Sequence, residues 1–108
     1  NVSNTGISHL DLSNNKKIHD LNISHTYIKN LDLSNKEMLL QLNVSHTGIT
    51  NLNLSNSLEL LYLDVSSTGI TNLDLSNNIK LVALYASNTD LQNANLSNGK
   101  TPPTIILM

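Results

Sequence analysis

Cysteine, tryptophan, phenylalanine and arginine are all absent from this 108-residue chain, and proline occurs only twice. Without cysteine there can be no disulfide, no zinc–thiolate site and no thiol chemistry. The three tyrosines are the only aromatic residues, so the hydrophobic core must be built from aliphatic side chains. The length fits one domain, and 39% of the residues are hydrophobic, which is enough for a core if they are well placed.

The charge content is low and carries no clustered basic patch. Six lysines and eight acidic residues give a net charge of −2 at pH 7. Nucleic-acid-binding surfaces concentrate lysine and arginine on one face, so the sequence predicts no nucleic-acid partner. No apolar stretch approaches the roughly 20 residues that cross a bilayer, and no membrane insertion is predicted.

What the sequence does contain is a repeat with a period of 21 residues. One phrase reads LDLSN or a close variant, and its copies begin at residues 10, 31, 52, 73 and 94. A second phrase, half a period away, reads LNISHT, LNVSHT, LDVSST and LYASNT, beginning at residues 21, 42, 63 and 84. Repetition of this length is the signature of a solenoid, in which each repeat stacks on the next.

Each phrase alternates apolar and polar residues and then meets serine, asparagine, threonine or glycine, which is typical of a short strand followed by a bend. We therefore expect two parallel sheets that run across the repeats. One should pair residues 10–13, 31–34, 52–55 and 73–76, and the other residues 21–24, 42–45, 63–66 and 84–87. No segment keeps a 3.6-residue period, so few or no helices are expected. The predicted fold class is an all-β-rich solenoid of about five repeats.

The repeat resembles the leucine-rich repeat family, whose core pattern is LxxLxLxxNxL. Residues 39–49 match this pattern except for Thr47 at the asparagine position, residues 60–70 repeat the match, and residues 49–54 are a truncated second copy. The resemblance covers about residues 2–98 and is closest to the nested 21-residue subclass, seen mainly in secreted and surface proteins of bacteria and some microbial parasites. It implies a right-handed coil with a parallel sheet, recognition of a protein or glycan, and no catalytic residues.

Two polar columns follow the strands, where a column is the set of residues at the same place in successive repeats. One consists of Thr5, Thr26, Thr47, Thr68 and Thr89, and the other of Asn14, Asn35, Asn56, Asn77 and Asn98. We expect both columns to be structural ladders, with the threonine hydroxyls bonding the backbone of a neighbouring repeat. Because both halves of the repeat read as strand, we expect a straighter, flatter coil than in family members with a helical side.

Two features that suggest ligands have simpler explanations. Residues 94–101 match a Walker A pattern, but Pro102 and Pro103 exclude the helix that would receive the phosphate, so no nucleotide is expected. His25 and His46 occupy the same place in neighbouring repeats, so their imidazoles should lie close together. No third metal ligand is evident, which favours a surface pair at a bend.

An outward acidic column is the third candidate for a ligand. It reads Asp11, Asp32, Asn53, Asp74 and Asn95. Adjacent carboxylates could attract a cation such as calcium, but only the first two acidic residues are adjacent, and a solvated polar face is favoured. The sequence therefore predicts no metal site, no cofactor and no catalytic residue.

The most informative departures from the repeat are aromatic or apolar residues at outward places around the second strand. Two outward columns read Asp20, Gln41, Tyr62, Ala83 and Asn22, Asn43, Asp64, Tyr85. A third, of Leu40, Leu61 and Val82, either joins this surface or turns inward at the bend. Exposed tyrosine beside aliphatic residues is typical of contact hot spots. The predicted partner-binding residues are Leu40, Gln41, Asn43, Leu61, Tyr62, Asp64, Val82 and Tyr85.

These observations predict a non-enzymatic binding or adhesion module that recognises a protein or glycan partner. The resemblance implies a secreted or surface-displayed microbial protein involved in host or cell interaction. The alternative is a structural spacer or self-assembling scaffold, joined through the open ends of the solenoid into a homo-oligomer. The solenoid is assigned to residues 1–100, and residues 101–108, where two prolines break the period, to a C-terminal tail or cap.

Overall fold

The computed structural model describes residues 1–91 and the backbone of two further strands, at 93–95 and 104–106. This part of the chain forms seven short parallel strands and no helix. The strands are β1 Asp20–Asn22, β2 Gln41–Asn43, β3 Tyr62–Asp64, β4 Asn72–Asp74, β5 Ala83–Tyr85, β6 Asn93–Asn95 and β7 Thr104–Ile106. Among these residues, no helix is long and apolar enough to cross a membrane.

Five strands form one long sheet in the order β1-β2-β3-β5-β7. Every pairing has an offset of 21 residues, so Leu21 faces Leu42, which faces Leu63. Backbone hydrogen bonds between repeats continue past the strands, as from Ile23 N to the Asn43 carbonyl at 2.9 Å. The second predicted sheet is thereby confirmed, with its strands beginning one residue earlier than expected. We call this half of each repeat the long-sheet side.

The prediction for the other half, the opposite side, was wrong in three of four repeats. Residues 10–13, 31–34 and 52–55 form no strand, and only β4 pairs there, with β6. The two sides differ in their second inward residue. On the long-sheet side it is Ile23, Val44 or Val65, whose branching at Cβ favours extended backbone. On the opposite side it is leucine, which carries no such preference. The difference favours the long sheet but does not decide every repeat, because Leu75 follows β4 and Ala86 follows β5.

The core is aliphatic, as predicted, and lies between the two sides. One of its most deeply buried columns contains Ile28, Ile49 and Ile70, all with no exposed surface. The first repeat is less well covered, because Ile7, in the same column, is only half-buried. Stacking on both sides is therefore what completes the burial of a repeat.

The threonine column closes the bend that follows each long-sheet strand. Thr68 Oγ1 donates to the Val65 carbonyl at 2.7 Å and accepts from Ile70 N at 3.4 Å. Thr26 makes the same two bonds in its own repeat, at 2.8 and 3.4 Å. The column is structural, but the expectation that it bonds a neighbouring repeat was wrong. It staples each bend within one repeat.

The predicted asparagine ladder is displaced by one residue. Asn14, Asn35 and Asn56 are exposed, and their side chains bond none of the described residues, so this prediction was wrong for them. Asn77 Nδ2 lies 3.4 Å from the Ser55 carbonyl. Asn98 lies outside the described residues, as do residues 96–103 of the Walker-like segment and the predicted tail.

The neighbouring polar column consists of Asn15, which is exposed, and of Lys36, Ser57 and Asn78, which are buried. Asn78 is fully buried, and its Nδ2 donates across the repeats to the carbonyls of Leu54 at 3.1 Å and Ser57 at 2.8 Å. Lys36 is 3% exposed and donates from Nζ to the Ser34 carbonyl. Ser57 Oγ is buried and has no partner among the described residues. Only one member of this column, Asn78, spans two repeats in the described part.

Strand β7 pairs with β5 at the same 21-residue offset, with Leu84 opposite Ile105. It falls in the segment that the sequence assigns to a tail or cap. Residues 96–103 and 107–108 lie outside the described part of the chain, and the division at residue 100 stays a prediction.

Candidate binding surface

The outward face of the long sheet carries a concavity of about 360 Å³. Five of the eight predicted partner-binding residues line it, and they are Gln41, Asn43, Tyr62, Asp64 and Tyr85. Asp20 and Asn22, which belong to the same two columns, line it as well. Alternate residues of a strand point to the same face, and the 21-residue offset aligns them from strand to strand. The sequence columns therefore become one continuous surface.

Two tyrosines on this face remain substantially exposed. Tyr62 on β3 is 40% exposed and Tyr85 on the neighbouring β5 is 37% exposed. Because Tyr62 pairs with Ala83 and Asp64 pairs with Tyr85, the two rings lie diagonally across adjacent strands. Neither hydroxyl bonds a described residue. As far as the described part of the chain is concerned, both rings and both hydroxyls are therefore available to a binding partner.

The outward Asn/Asp column has a structural role that the sequence analysis missed. The Oδ1 atoms of Asn22, Asn43 and Asp64 accept hydrogen bonds of 2.9–3.0 Å from the backbone N–H two residues later. Such a bond ends the strand and begins the bend. The Asn-x-Ser phrases could have indicated it, because asparagine and aspartate favour this local turn. The Asn43 amide nitrogen is left without a partner among the described residues.

Tyr85 occupies the place in this column where the other repeats carry asparagine or aspartate. It cannot accept the backbone bond, and Ser87 N instead donates to Ser66 Oγ of the preceding repeat at 3.2 Å. The Ser87 and Ser66 hydroxyls also lie 3.0 Å apart. The fold thus accommodates a tyrosine at the expense of a turn bond, which sets this residue apart from its column.

The concavity is acidic. Asp20 and Asp64 line it, whereas none of the lysines within residues 1–91 does so. The side chains of Asp20 and Gln41 bond no described residue. The surface therefore combines carboxylates, amides and aromatic rings, and the charged side chains that line it are acidic.

The structure separates the other three predicted residues from this concavity. Leu40 and Leu61 are half-buried, Val82 is 50% exposed, and all three lie just before the strands, outside the core cluster. Leu40 lines a second concavity of about 540 Å³ together with Met38 and Leu58. The predicted site is thus two surfaces, a sheet face and an adjacent flank.

The flank is more apolar than the sequence analysis recognised. Met38, Leu58 and Ile79 are 43%, 49% and 44% exposed. The signal was present in one column, which reads Lys16, Glu37, Leu58 and Ile79 and so changes from charged to apolar along the coil. Across it, Lys80 and Glu59 form an ion pair of 2.6 Å.

The acidic column on the opposite side is also held by local bonds. A backbone N–H bond from Ser13 is the main cause that lowers the pKa of Asp11, and one from Ser34 lowers the pKa of Asp32. The nearby Lys36 ammonium lowers both pKa values further. The Lys36 ammonium thus lies close to Asp11 and Asp32, the adjacent acidic pair of this column. Asp74 has a lowered pKa because the Ser76 hydroxyl and N–H both donate to it.

His25 and His46 stack, with ring centroids 4.2 Å apart and an angle of 12° between the ring planes. Both are exposed, at the bend that follows the long sheet. The described residues contain no cluster of three or more histidine, cysteine, aspartate or glutamate side chains able to hold a metal ion.

No protein-family model and no curated protein sequence matches the chain. Among solved structures, the functional domain of InlJ from Listeria monocytogenes, which includes a cysteine ladder, matches with a TM-score of 0.65 and 26% sequence identity. The match covers 94% of this chain and 27% of that chain. InlJ is a leucine-rich-repeat protein, and its cysteine ladder has no counterpart here, because this chain has no cysteine. The chain therefore folds as a leucine-rich-repeat-like β-solenoid, a fold that suggests a protein-interaction module.

Proposed function

We propose that this chain is a non-enzymatic recognition module that binds a protein partner through the outward face of its long sheet. The observation that carries the proposal is the pair of exposed tyrosines, Tyr62 and Tyr85, above a concave surface. Tyrosine gives a large contact area at a low cost in side-chain entropy and is enriched among the residues that dominate binding energy. Tyr85 also replaces a residue that makes a structural bond in the other repeats.

The charge of the face supports a partner segment that carries arginine or lysine. Asp20 and Asp64 would meet the cation, and the ring faces of the tyrosines would attract it further. The Gln41 amide and the Asn43 amide nitrogen would bond the partner's backbone. An extended segment lying across the strands fits a shallow concavity of about 360 Å³ better than a deeply inserted group would.

The biological setting is part of the same proposal. The period and the strand phrases support membership of the nested 21-residue subclass of leucine-rich repeats, and that subclass is typical of secreted and surface proteins. The likeness to a domain of a Listeria protein agrees with a bacterial surface protein. We propose that the chain belongs to a microbial protein that is secreted or surface-displayed and takes part in adhesion or host interaction.

The test begins with a displayed peptide library selected against the purified chain. Selected peptides are expected to be enriched in arginine and lysine, and their affinity is expected to fall as salt rises. Tyr62→Ala and Tyr85→Asn should each weaken binding about tenfold or more, as hot-spot residues do. Tyr85→Asn is well matched to the fold, because asparagine occupies this column in two other repeats.

Tyr27→Ala is the control, since Tyr27 is 70% exposed but does not line the concavity. Binding that is unchanged in both tyrosine variants, or equally reduced in Tyr27→Ala, would rule out the sheet face. If a glycan array instead yields a ligand that competes for the same tyrosines, the partner class is glycan.

The second candidate, a self-assembling scaffold, is favoured by the half-buried core residues of the first repeat, such as Ile7 and Ile18. Their equivalents Ile28 and Leu39 are fully buried. Light scattering across a concentration series tests it. A mass that stays at 11.8 kDa would exclude assembly of this chain.

A further inference from the structure

The bend beside the long sheet presents two imidazoles in the same orientation. His25 and His46 both have left-handed backbone conformations, with φ of 56° and 53°. Their backbone N–H groups donate to the next repeat, to Ser45 at 3.1 Å and Ser66 at 3.0 Å. The threonine that follows each of them is fixed by its own staple bond. Both side chains therefore leave a rigid backbone at equivalent points.

The two imidazoles are close enough to reach a shared ligand. Neighbouring strands of a sheet lie about 4.7–4.9 Å apart, whereas the ring centroids are 4.2 Å apart, so the rings lean towards each other. Two nitrogens bound to one tetrahedral metal ion at 2.0–2.1 Å lie about 3.4 Å apart. In the stacked arrangement the ring planes are nearly parallel, so shared ligation requires the rings to rotate about their side-chain bonds until the nitrogen lone pairs converge on the ion. Both side chains are exposed, which leaves them the space for that rotation.

We propose that His25 and His46 together bind a divalent transition-metal ion of the zinc type. Imidazole is a preferred ligand for zinc, copper and nickel and a poor one for calcium or magnesium, which defines the class of ion. A concavity of about 510 Å³ beside the pair, lined also by Tyr27, leaves space for the ion and its remaining water ligands. The site has two protein ligands and open positions, so the bound ion can exchange or be shared with a partner's ligand.

This site is independent of the proposed recognition face. None of the residues that line the sheet concavity lines the concavity beside the imidazoles. The repeat also supplies its own reference state, because the same column carries Asn4 and Asn88, with φ of 59° and 55°. Asparagine therefore fits this backbone, and histidine is not needed to form the bend.

The experiment is a calorimetric titration of the purified chain with Zn²⁺ in a buffer that does not chelate metals. We expect one ion per chain. His25→Asn and His46→Asn should each weaken binding about tenfold or more, because each leaves a single imidazole without the chelate advantage. The double variant should abolish the one-ion isotherm. Thermal melts of the apo variants check that the fold is retained.

His9→Asn and His19→Asn are the matched controls, because they change the other two histidines of the chain. They should leave the affinity within about twofold of the parent. The proposal is overturned if the parent binds no Zn²⁺, if the double variant binds it as tightly as the parent, or if a control variant removes the binding. A loss confined to one of the two single variants would also overturn it, since the site requires both imidazoles.

Discussion

The two sides of the solenoid begin from almost the same phrase and form different structures. On the long-sheet side the phrases LNI, LNV, LDV and LYA belong to a sheet of five strands. On the opposite side LDL or LNL gives no strand in the first three repeats. Leucine is buried at the first inward place of the long-sheet side, as at Leu42, which is 2% exposed. At the corresponding place on the opposite side, Leu31 and Leu52 are only half-buried.

The difference shows where the backbone bonds of a solenoid are made. On the long-sheet side each repeat bonds the next from the strand to the bend, as far as His25 N and the Ser45 carbonyl. On the opposite side, outside the β4–β6 pair, the polar links between repeats come from side chains. Asn78 makes the most of them, because its Nδ2 donates to two carbonyls, although its buried Oδ1 has no partner among the described residues. The long-sheet side is held by backbone hydrogen bonds, which do not depend on side-chain identity, whereas the opposite side depends on particular side chains.

The largest expected effect is in the core of the long-sheet side. Leu42→Asn should lower the free energy of unfolding by about 3–5 kcal/mol, because it removes packing and buries an amide that has no partner. Leu52→Asn should cost about half as much, because that side chain can reach water. Urea denaturation of both variants measures the difference. Equal losses would mean that the two sides are buried alike.

A smaller effect is expected at the threonine staples. Thr68→Val should cost about 1–2 kcal/mol, since it leaves the buried Val65 carbonyl without its hydroxyl donor. Thr5→Val is the matched control, because Thr5 makes the same bond to Val2 at 2.7 Å but is exposed, so water can replace the hydroxyl. Thermal denaturation distinguishes them. A control that loses as much stability as Thr68→Val would contradict the role of burial.

The opposite side can be strengthened by extending its ladder. Ser57→Asn should raise the free energy of unfolding by about 0.5–1 kcal/mol, because its amide would reach the Leu33 and Lys36 carbonyls as Asn78 reaches those of Leu54 and Ser57. Asn56→Ser, at the exposed neighbouring place, should be neutral. A drop in melting temperature for Ser57→Asn would show that the column has no room for an amide.

The smallest effect concerns acid. The pKa values of Asp11, Asp32 and Asp74 are lowered by bonds from their serines. A folded-state pKa below the unfolded one, about 3.9 for aspartate, gives stability that is present above the unfolded pKa and is lost as the pH falls through the folded one. The melting temperature should therefore decline below about pH 4.

The triple variant D11N/D32N/D74N should show a shallower decline over the same pH range, because asparagine keeps the acceptor oxygen but does not titrate. Asn53 already serves this role in the native column, with 3.0 Å from Ser55 N to its Oδ1. Parallel curves for parent and variant would remove these carboxylates from the account of acid stability.

The sequence by itself determined the period, the stacking offset and the aliphatic core. Side chains alternate along a strand, so the inward columns at Ile23, Leu42 and Ile49 could be read from the pattern without coordinates. The same alternation placed Tyr62 and Tyr85 on one outward face. A repeat of 21 residues leaves few alternatives, because every prediction for one copy is tested by the others.

Only the tertiary structure decided what the polar columns do and how the predicted surface divides. Whether a threonine staples its own repeat, or which residue of a bend points inward, depends on the path of the backbone through the bend. That path differs between the two sides although their composition is similar. The approach of His25 to His46, and the separation of Leu40 from Tyr62, likewise follow from the path of the chain between strands, which alternation along a strand does not specify.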